Sequence, residues 1–268
     1  MSRTPKIGFI GAGKMATAVA VSLIKKLSPC DMTAYDILCD ASDKFNSATG
    51  IGISKTLSEA INFSDILILA VKPQNFLGLF EKKTGMKDKL IISLMAGVRI
   101  SDIRRESGAT RIVRVMPNTP ALVGKAISAY SLSAETSSDD WSIVGNILDS
   151  FGSSVLVEED KMDAVTAVSG SGPAYVFEFI ESLAKGGEAC GLSYDLALKL
   201  AIETVEGAAT LLKKTGDTPE QLKNNVTSPG GTTAKALTVF KDREFRDIVV
   251  SAVKAARDRS IELGRGER

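Results

Sequence analysis

Apolar positions in the first part of the chain fall in short unbroken runs, separated by stretches with helical spacing. Lys6 to Ile10 is one such run and ends in Gly11-Ala12-Gly13; Met15 to Leu27 then repeats at helical spacing until Ser28-Pro29 closes it. Asp31 to Asp36 is a second short strand candidate, and Thr56-Leu57-Ser58-Glu59 has the form of a capping box opening a short helix. Ile66 to Val71 is continuous and apolar, stopped by Lys72-Pro73, as suits a parallel strand covered on both faces. Leu90 to Leu94 and Arg111 to Met116 read as further strands, with a helix starting near Ser101 between them. Ala126 to Tyr130 and Val155 to Val157 are weaker candidates flanking a helix from about Ser138 to Phe151. Strands alternating with helices predict an α/β fold, a Rossmann-like doubly wound parallel sheet.

Strand signals stop after Asp160. Ala164 to Cys190 is helical but interrupted at Ser169-Gly170-Ser171-Gly172-Pro173, and Tyr194 to Lys214 is the most regular helix in the chain. Its polar residues Lys199, Glu203, Glu206, Thr210 and Lys213 form one narrow stripe, so the helix is expected to be buried on several sides. A domain of this size has difficulty covering such a helix alone. The pattern therefore predicts two domains, 1–160 for the sheet and 161–268 for an all-helical part that dimerises. A compact monomeric bundle around the same helix is the alternative.

The chain has 268 residues, 44% hydrophobic and 24% charged, with Lys plus Arg at 33 against Asp plus Glu at 32. These interspersed charges lack the basic footprint of a nucleic-acid binder. The longest apolar run is too short to cross a bilayer. The first strand begins almost at once, so no targeting peptide is expected. Cys30, Cys39 and Cys190 show no metal-ligand spacing, so reduced thiols, a cytoplasmic location and no metal site are expected. Histidine is absent altogether. That removes Ser-His and Cys-His nucleophile pairs and any imidazole acid, base or ligand, and favours chemistry in which a cofactor carries the hard step.

Gly11-Ala12-Gly13-Lys14-Met15-Ala16 matches G-x-G-x-x-A between a strand and a helix, the context a dinucleotide-binding turn requires. Gly11 permits the turn, Gly13 lets the backbone approach a pyrophosphate, and Ala16 lets the helix pack close to the sheet. Asp36 follows about 20 residues on, where a carboxylate accepts the ribose hydroxyls and repels a 2′-phosphate. NADH is therefore expected over NADPH, unless Asp36 points to solvent or caps the next helix. Near the other end, Thr227-Ser228-Pro229-Gly230-Gly231-Thr232-Thr233 is a glycine-bearing, hydroxyl-rich loop before the helical stretch Ala234 to Phe240. Either Thr232 or Thr233 can act as its N-cap. The loop reads as a carboxylate site at a helix N-terminus or simply as a well-capped joint between helices.

Five motifs in order give the chain a resemblance, nearly end to end, to the pyrroline-5-carboxylate reductases. They are Ile7 to Gly13; Ala70-Val71-Lys72-Pro73-Gln74; Arg114-Val115-Met116-Pro117-Asn118-Thr119-Pro120; Ala164 through Tyr175; and Leu222 through Thr233. The resemblance implies reduction of the cyclic imine 1-pyrroline-5-carboxylate to L-proline by NAD(P)H. It implies that Ala70, Val71, Lys72 and Pro73 border the adenosine side of the cofactor, with Met116, Pro117 and Asn118 near the nicotinamide. It further implies a substrate pocket of Asn225, Val226, Gly230, Gly231, Thr232 and Thr233 with Ser171 and Gly172 opposite, and Thr233 beside the imine nitrogen. Lys14 stands where this family often has Asn, and Asp36 where NADPH-using members tend to carry a small hydroxyl residue. A homodimer is implied, and family members often assemble into rings of dimers, although no residue here decides that. The rival enzyme reading is a two-domain reductase of the β-hydroxyacid dehydrogenase type, for which Lys185 and Lys199 are candidate acid/bases by position. The rival from another class is a non-catalytic dinucleotide sensor.

Overall fold

The computed structural model describes residues 4–76, 79 and 85–264. Among the described residues, eight strands form one sheet: β1 (Ile7–Ile10), β2 (Met32–Tyr35), β3 (Gly52–Ile53), β4 (Ile66–Leu69), β5 (Leu90–Ser93), β6 (Ile112–Met116), β7 (Ala126–Leu132) and β8 (Gly152–Leu156). Their order is β3-β2-β1-β4-β5-β6-β7-β8. Around them lie helices α1 (Lys14–Leu23), α2 (Cys39–Thr49), α3 (Leu57–Phe63), α4 (Ile100–Ser107) and α5 (Ser138–Leu148). The order reverses direction between β1 and β4, the kind of switch point where open α/β sheets bind ligands.

The unbroken apolar runs explain why both faces of this sheet are covered. In β1, Ile7 and Phe9 join one core cluster and Ile10 the other; in β4, Ile66 and Ile68 join the first while Leu67 and Leu69 join the second. This is the period-two alternation of a strand with a layer on each side. Phe9 meets Phe45 of α2 with ring centroids 5.4 Å apart. Each such fully buried side chain stabilises by roughly 1.5–3 kcal/mol over its exposed state.

Two strands run against the rest: β7 is antiparallel to β6, and β8 is parallel to β7. Met116 and Ala126 are separated by a short segment with a 3₁₀ turn, Thr119–Val123, ended by Gly124 at φ 71°. A crossover to a parallel strand needs about a dozen residues or more, so the chain folds straight back. The longer connection through α5 restores parallel pairing for β8.

Next come α6 (Met162–Val165), a π-helical turn (Thr166–Gly170), α7 (Gly172–Ala189), α8 (Tyr194–Thr215), α9 (Pro219–Asn225), α10 (Thr232–Asp242) and α11 (Phe245–Gly264). By compactness the chain divides into a sheet unit, which runs through Ser171 and regains the residues from Ala256 on, and a helical unit, Gly172–Ala255. Within the sheet unit the buried Ser260 hydroxyl donates to Asp163 at 2.7 Å. Within the helical unit Phe240 stacks on Phe245 at 4.8 Å.

Burial of α8 on several sides does not occur within one chain. Only Ala197 and Ala201 of this helix are buried, while Leu200 is 50% and Ile202 44% exposed. The helical unit has too little chain to cover it. Leu196 and Leu211 of the same helix, and Ile248 and Val250 of α11, are likewise exposed apolar side chains.

Candidate functional site

In the sheet unit the candidate cofactor residues converge at one edge. β1, β4 and β6 all run the same way, so the segments leaving their C-terminal ends lie along that edge. These segments hold Gly11 to Ala16, Ala70 to Pro73, and Met116 to Asn118.

The glycine turn is fixed by its neighbours. Gly11 has φ 99°, and a Cβ there would come within 2.7–2.8 Å of the Ala70 carbonyl and the Val71 nitrogen. Only glycine fits, because the chain leaving β4 crosses directly over it. The Gly11 N–H donates to the Tyr35 carbonyl at 2.8 Å, and the Ala70 N–H to the Ile10 carbonyl at 2.8 Å. Gly13 is the N-cap of α1, and the position of a Cβ on it opens on free space. The N–H groups of Lys14, Met15 and Ala16 start the helix and have no intrahelical acceptor. Lys14 is exposed and Ala16 fully buried against the sheet. An open approach over a helix N-terminus is what a pyrophosphate needs, so the residues present fit a dinucleotide.

Asp36 follows β2 and is half-buried. One carboxylate oxygen accepts the Ala12 N–H at 2.8 Å and the other the Leu38 N–H at 2.9 Å. Two residues that sequence spacing only relates by distance are thus joined directly. Ile37 and Leu38 beyond it are exposed, with no arginine among them.

At the end of β6, Met116 is half-buried and Pro117 and Asn118 are buried. The Asn118 side chain accepts the Ile127 N–H at 3.1 Å and donates to the Ser169 carbonyl at 3.1 Å. On the same strand the buried Arg114 donates to Glu159 at 3.3 Å, whose carboxylate also accepts the Ile100 N–H at the start of α4 at 2.7 Å. Sequence patterning does not pair these two residues, which lie 45 positions apart. A charged residue at the inward alternation of an otherwise apolar strand was the available signal.

In the helical unit α9, a tight turn and α10 bring Asn225 to Thr233 together. The Thr227 hydroxyl donates to the Lys223 carbonyl at 2.6 Å. Gly230 sits at φ 72°, and the Gly231 N–H returns to the Ser228 carbonyl at 3.0 Å. The N-cap of α10 is Gly231, rather than Thr232 or Thr233. The turn enters the helix one residue early, which makes the two threonines its first helical positions, and among the described residues neither hydroxyl has a hydrogen-bond partner. The leading N–H groups of α10 likewise lack intrahelical acceptors. Val226 is 66% exposed. Ser171 closes the π turn of the sheet unit, and Gly172 begins α7.

Lys185 lies on α7 in a 2.6 Å ion pair with Glu181, and this hydrogen bond holds its ammonium above the ordinary lysine range. A lysine held in its charged form is poorly suited to proton shuttling at neutral pH. Lys199 is exposed on α8. Among the described residues no group of three His, Cys, Asp or Glu side chains is placed to hold a metal ion, and no helix is long and apolar enough to cross a membrane.

Comparison with known proteins extends this geometry. Residues 159–263 match the family model for pyrroline-5-carboxylate reductase dimerisation, and residues 6–97 that for coenzyme F420-dependent NADP oxidoreductase. The pyrroline-5-carboxylate reductase of Arabidopsis thaliana is 43% identical over 263 residues, covering 96% of this chain and 95% of that protein. The Escherichia coli pyrroline-5-carboxylate reductase is 35% identical over 265 residues, 97% of this chain and 98% of that one. A crystal structure of the Plasmodium falciparum pyrroline carboxylate reductase with NADP bound superimposes with a TM-score of 0.90 at 34% identity, over 98% of this chain and 100% of that one. With these full-length matches, a glycine turn at the sheet's switch point and a Gly-Gly-Thr-Thr turn opening a helix, the chain belongs to the pyrroline-5-carboxylate reductase family.

Proposed function

We propose that this protein reduces 1-pyrroline-5-carboxylate to L-proline with NAD(P)H, the last step of proline biosynthesis. The observation that carries the reading is the pairing, in one chain similar to these reductases over nearly its whole length, of the glycine turn after β1 with the turn that opens α10. When bound, the reduced nicotinamide supplies the hydride that the imine carbon accepts. The α1 N-terminus and Gly13 hold the pyrophosphate, Asp36 the adenosine ribose, Ala70 to Pro73 the adenosine side, and Met116 to Asn118 border the nicotinamide.

The chain's own groups suffice for the rest. A protonated cyclic imine is already electrophilic, so no strong base is needed and the absence of histidine is no obstacle. As the C=N π pair moves to nitrogen, the Thr233 hydroxyl hydrogen-bonds that nitrogen. Apart from the Gly231 N–H, which bonds Ser228, the N–H groups of the turn, those of Gly230, Thr232 and Thr233, grip the substrate carboxylate. Asn225 and Val226 flank the substrate-binding turn, and Ser171 and Gly172 are further substrate-binding residues on the same reading. Positioning supplies most of the acceleration, an effect worth roughly 7–11 kcal/mol when the reactants are well oriented.

Asp36 favours NADH over NADPH by repelling a 2′-phosphate. The helical unit is the dimerisation part, supported by the family model over residues 159–263 and by the exposed apolar side chains of α8 and α11. Light scattering distinguishes a dimer from a ring of dimers. The free, exposed thiols of Cys30, Cys39 and Cys190 suit a cytoplasmic setting. The deciding assay mixes purified protein with pyrroline-5-carboxylate and NADH or NADPH and follows absorbance of the reduced cofactor. No consumption with either removes the reading.

A further inference from the structure

Pro173 affects the chain four residues earlier. In a continuous helix the Ser169 carbonyl accepts the N–H of residue 173, and proline has none. The chain makes a π turn here, with the Ser171 N–H closing on the Thr166 carbonyl at 2.8 Å. Ser169 takes its donor from elsewhere in the sheet unit, the side-chain amide of Asn118 at 3.1 Å. The oxygen of that amide accepts the Ile127 N–H at 3.1 Å, so its orientation is set by a donor on one side and an acceptor on the other. Asn118 is 8% exposed and joins the end of β6, the start of β7 and the π turn. Beside this junction, a Cβ on Gly170 would lie 2.4 Å from the Met116 methyl, so the Met116 side chain seats on the bare glycine. Single π turns recur at functional sites because they re-aim the residues that follow.

We infer that Asn118 is a positioning residue for hydride transfer, acting through Met116 and Ser171 rather than through its own side chain. The inference rests on the reductase reading, which puts the Met116 to Asn118 segment at the nicotinamide and Ser171 at the substrate; within that segment the buried Asn118 side chain makes its hydrogen bonds inside the protein, to Ser169 and Ile127. Met116 and Ser171 both belong to the sheet unit, and Asn118 is the strut that holds the strand end against the π turn. It supplies the hydrogen bond that Pro173 withholds and so sets the spacing between the two sides of the reacting pair. A displacement of about 1 Å at such a pair can slow the reaction on the order of a hundredfold while leaving each ligand's own contacts in place.

The test uses Asn118→Asp, which keeps an acceptor for Ile127 but loses the donor to Ser169. Gly170→Ala disturbs the same junction from the Met116 side without unpairing a buried polar group, and carries the test if Asn118→Asp does not fold. The expected result for either is a kcat reduced roughly tenfold to hundredfold. The Kd for NADH, read by fluorescence, and the KM for the imine stay within about threefold of the parent. The primary isotope effect from deuterated NADH rises, because hydride transfer becomes more nearly rate-limiting. A Kd raised about tenfold or more with kcat kept makes Asn118 a direct cofactor ligand and overturns the inference. A lowered melting temperature with unchanged kcat per folded molecule makes it a structural brace alone and overturns it as well. An inactive parent protein overturns the reductase reading together with this inference; an active parent with unaffected variants overturns this inference alone.

Discussion

One oxygen of the Asp36 carboxylate accepts the main-chain N–H of Ala12 at 2.8 Å, which ties the end of β2 to the glycine turn that follows β1. The same side chain holds the turn in shape and, on the proposed reading, also presents negative charge beside the ribose. Asp36→Ser separates these two roles badly, since serine is too short to reach Ala12, whose N–H is then left buried at a cost of about 1–3 kcal/mol. Asp36→Asn removes the charge and keeps one acceptor oxygen. Both variants are expected to move the ratio of kcat/KM for NADH and NADPH toward NADPH by roughly tenfold, a change of about 1.4 kcal/mol. The serine variant is expected to melt at a lower temperature than the asparagine variant. A cofactor ratio that stays put in both means Asp36 serves the turn alone.

Gly11 offers a harsher test of the same turn. Alanine at φ 99° is strained, and its methyl would press on the Ala70 carbonyl at 2.7 Å. Overpacking of this kind costs about 1–3 kcal/mol, and relief requires moving the chain that leaves β4. Gly11→Ala is expected to lower the melting temperature and weaken NADH binding together, as measured by thermal unfolding and fluorescence titration. Unchanged binding in a destabilised variant would show that the Gly11–Ala70 crossing has no part in the cofactor site.

Much of this was legible in the sequence because the local and global signals agree. Ile66 to Leu69 has no polar side, and its short length before Lys72-Pro73 fits a strand between two layers, while the glycines at 11 and 13 lie where a strand gives way to a helix. Other parts depended on partners far along the chain. The antiparallel β7 follows from a connection too short to cross over, and β3, only Gly52–Ile53, is too brief to show a period. The N-cap at Gly231 was obscured because threonine and glycine cap about equally well, and here the turn's own hydrogen bonds set the register. The Asn118–Ser169 bond spans two motifs that were legible separately, and only Pro173 hinted that a carbonyl lacked its donor.

Thr233 is the second residue of α10, with a hydroxyl that no neighbour occupies among the described residues. Thr233→Val keeps the branched shape and leaves no buried group unpaired, so the fold is expected to survive. One hydrogen bond to the reacting nitrogen is worth about 1–3 kcal/mol, or roughly tenfold to a hundredfold in rate. The variant is expected to be impaired to that extent in kcat/KM, with an unchanged Kd for NADH. A loss well beyond about a thousandfold in a folded variant would assign Thr233 as a true proton donor, since no single neutral hydrogen bond accounts for so much.

Leu200 and Ile202 are half-exposed on α8, in a helix whose polar stripe is narrow, so the helical unit leaves apolar surface open to water. If that surface is the dimer interface, a charge at its centre is costly, because an unpaired buried carboxylate has no compensating partner there. Leu200→Glu is expected to convert the dimer to monomer, read as a halved mass by light scattering. The sheet unit holds the cofactor turn within its own residues, so NADH binding is expected to persist in the monomer. Imine reduction is expected to fall with dimer content, because α10 and the turn proposed to bind substrate belong to the same helical unit as the disrupted face. An unchanged mass for the glutamate variant would place the interface elsewhere on the helical unit, with the exposed face of α11 around Ile248 as the next position to test.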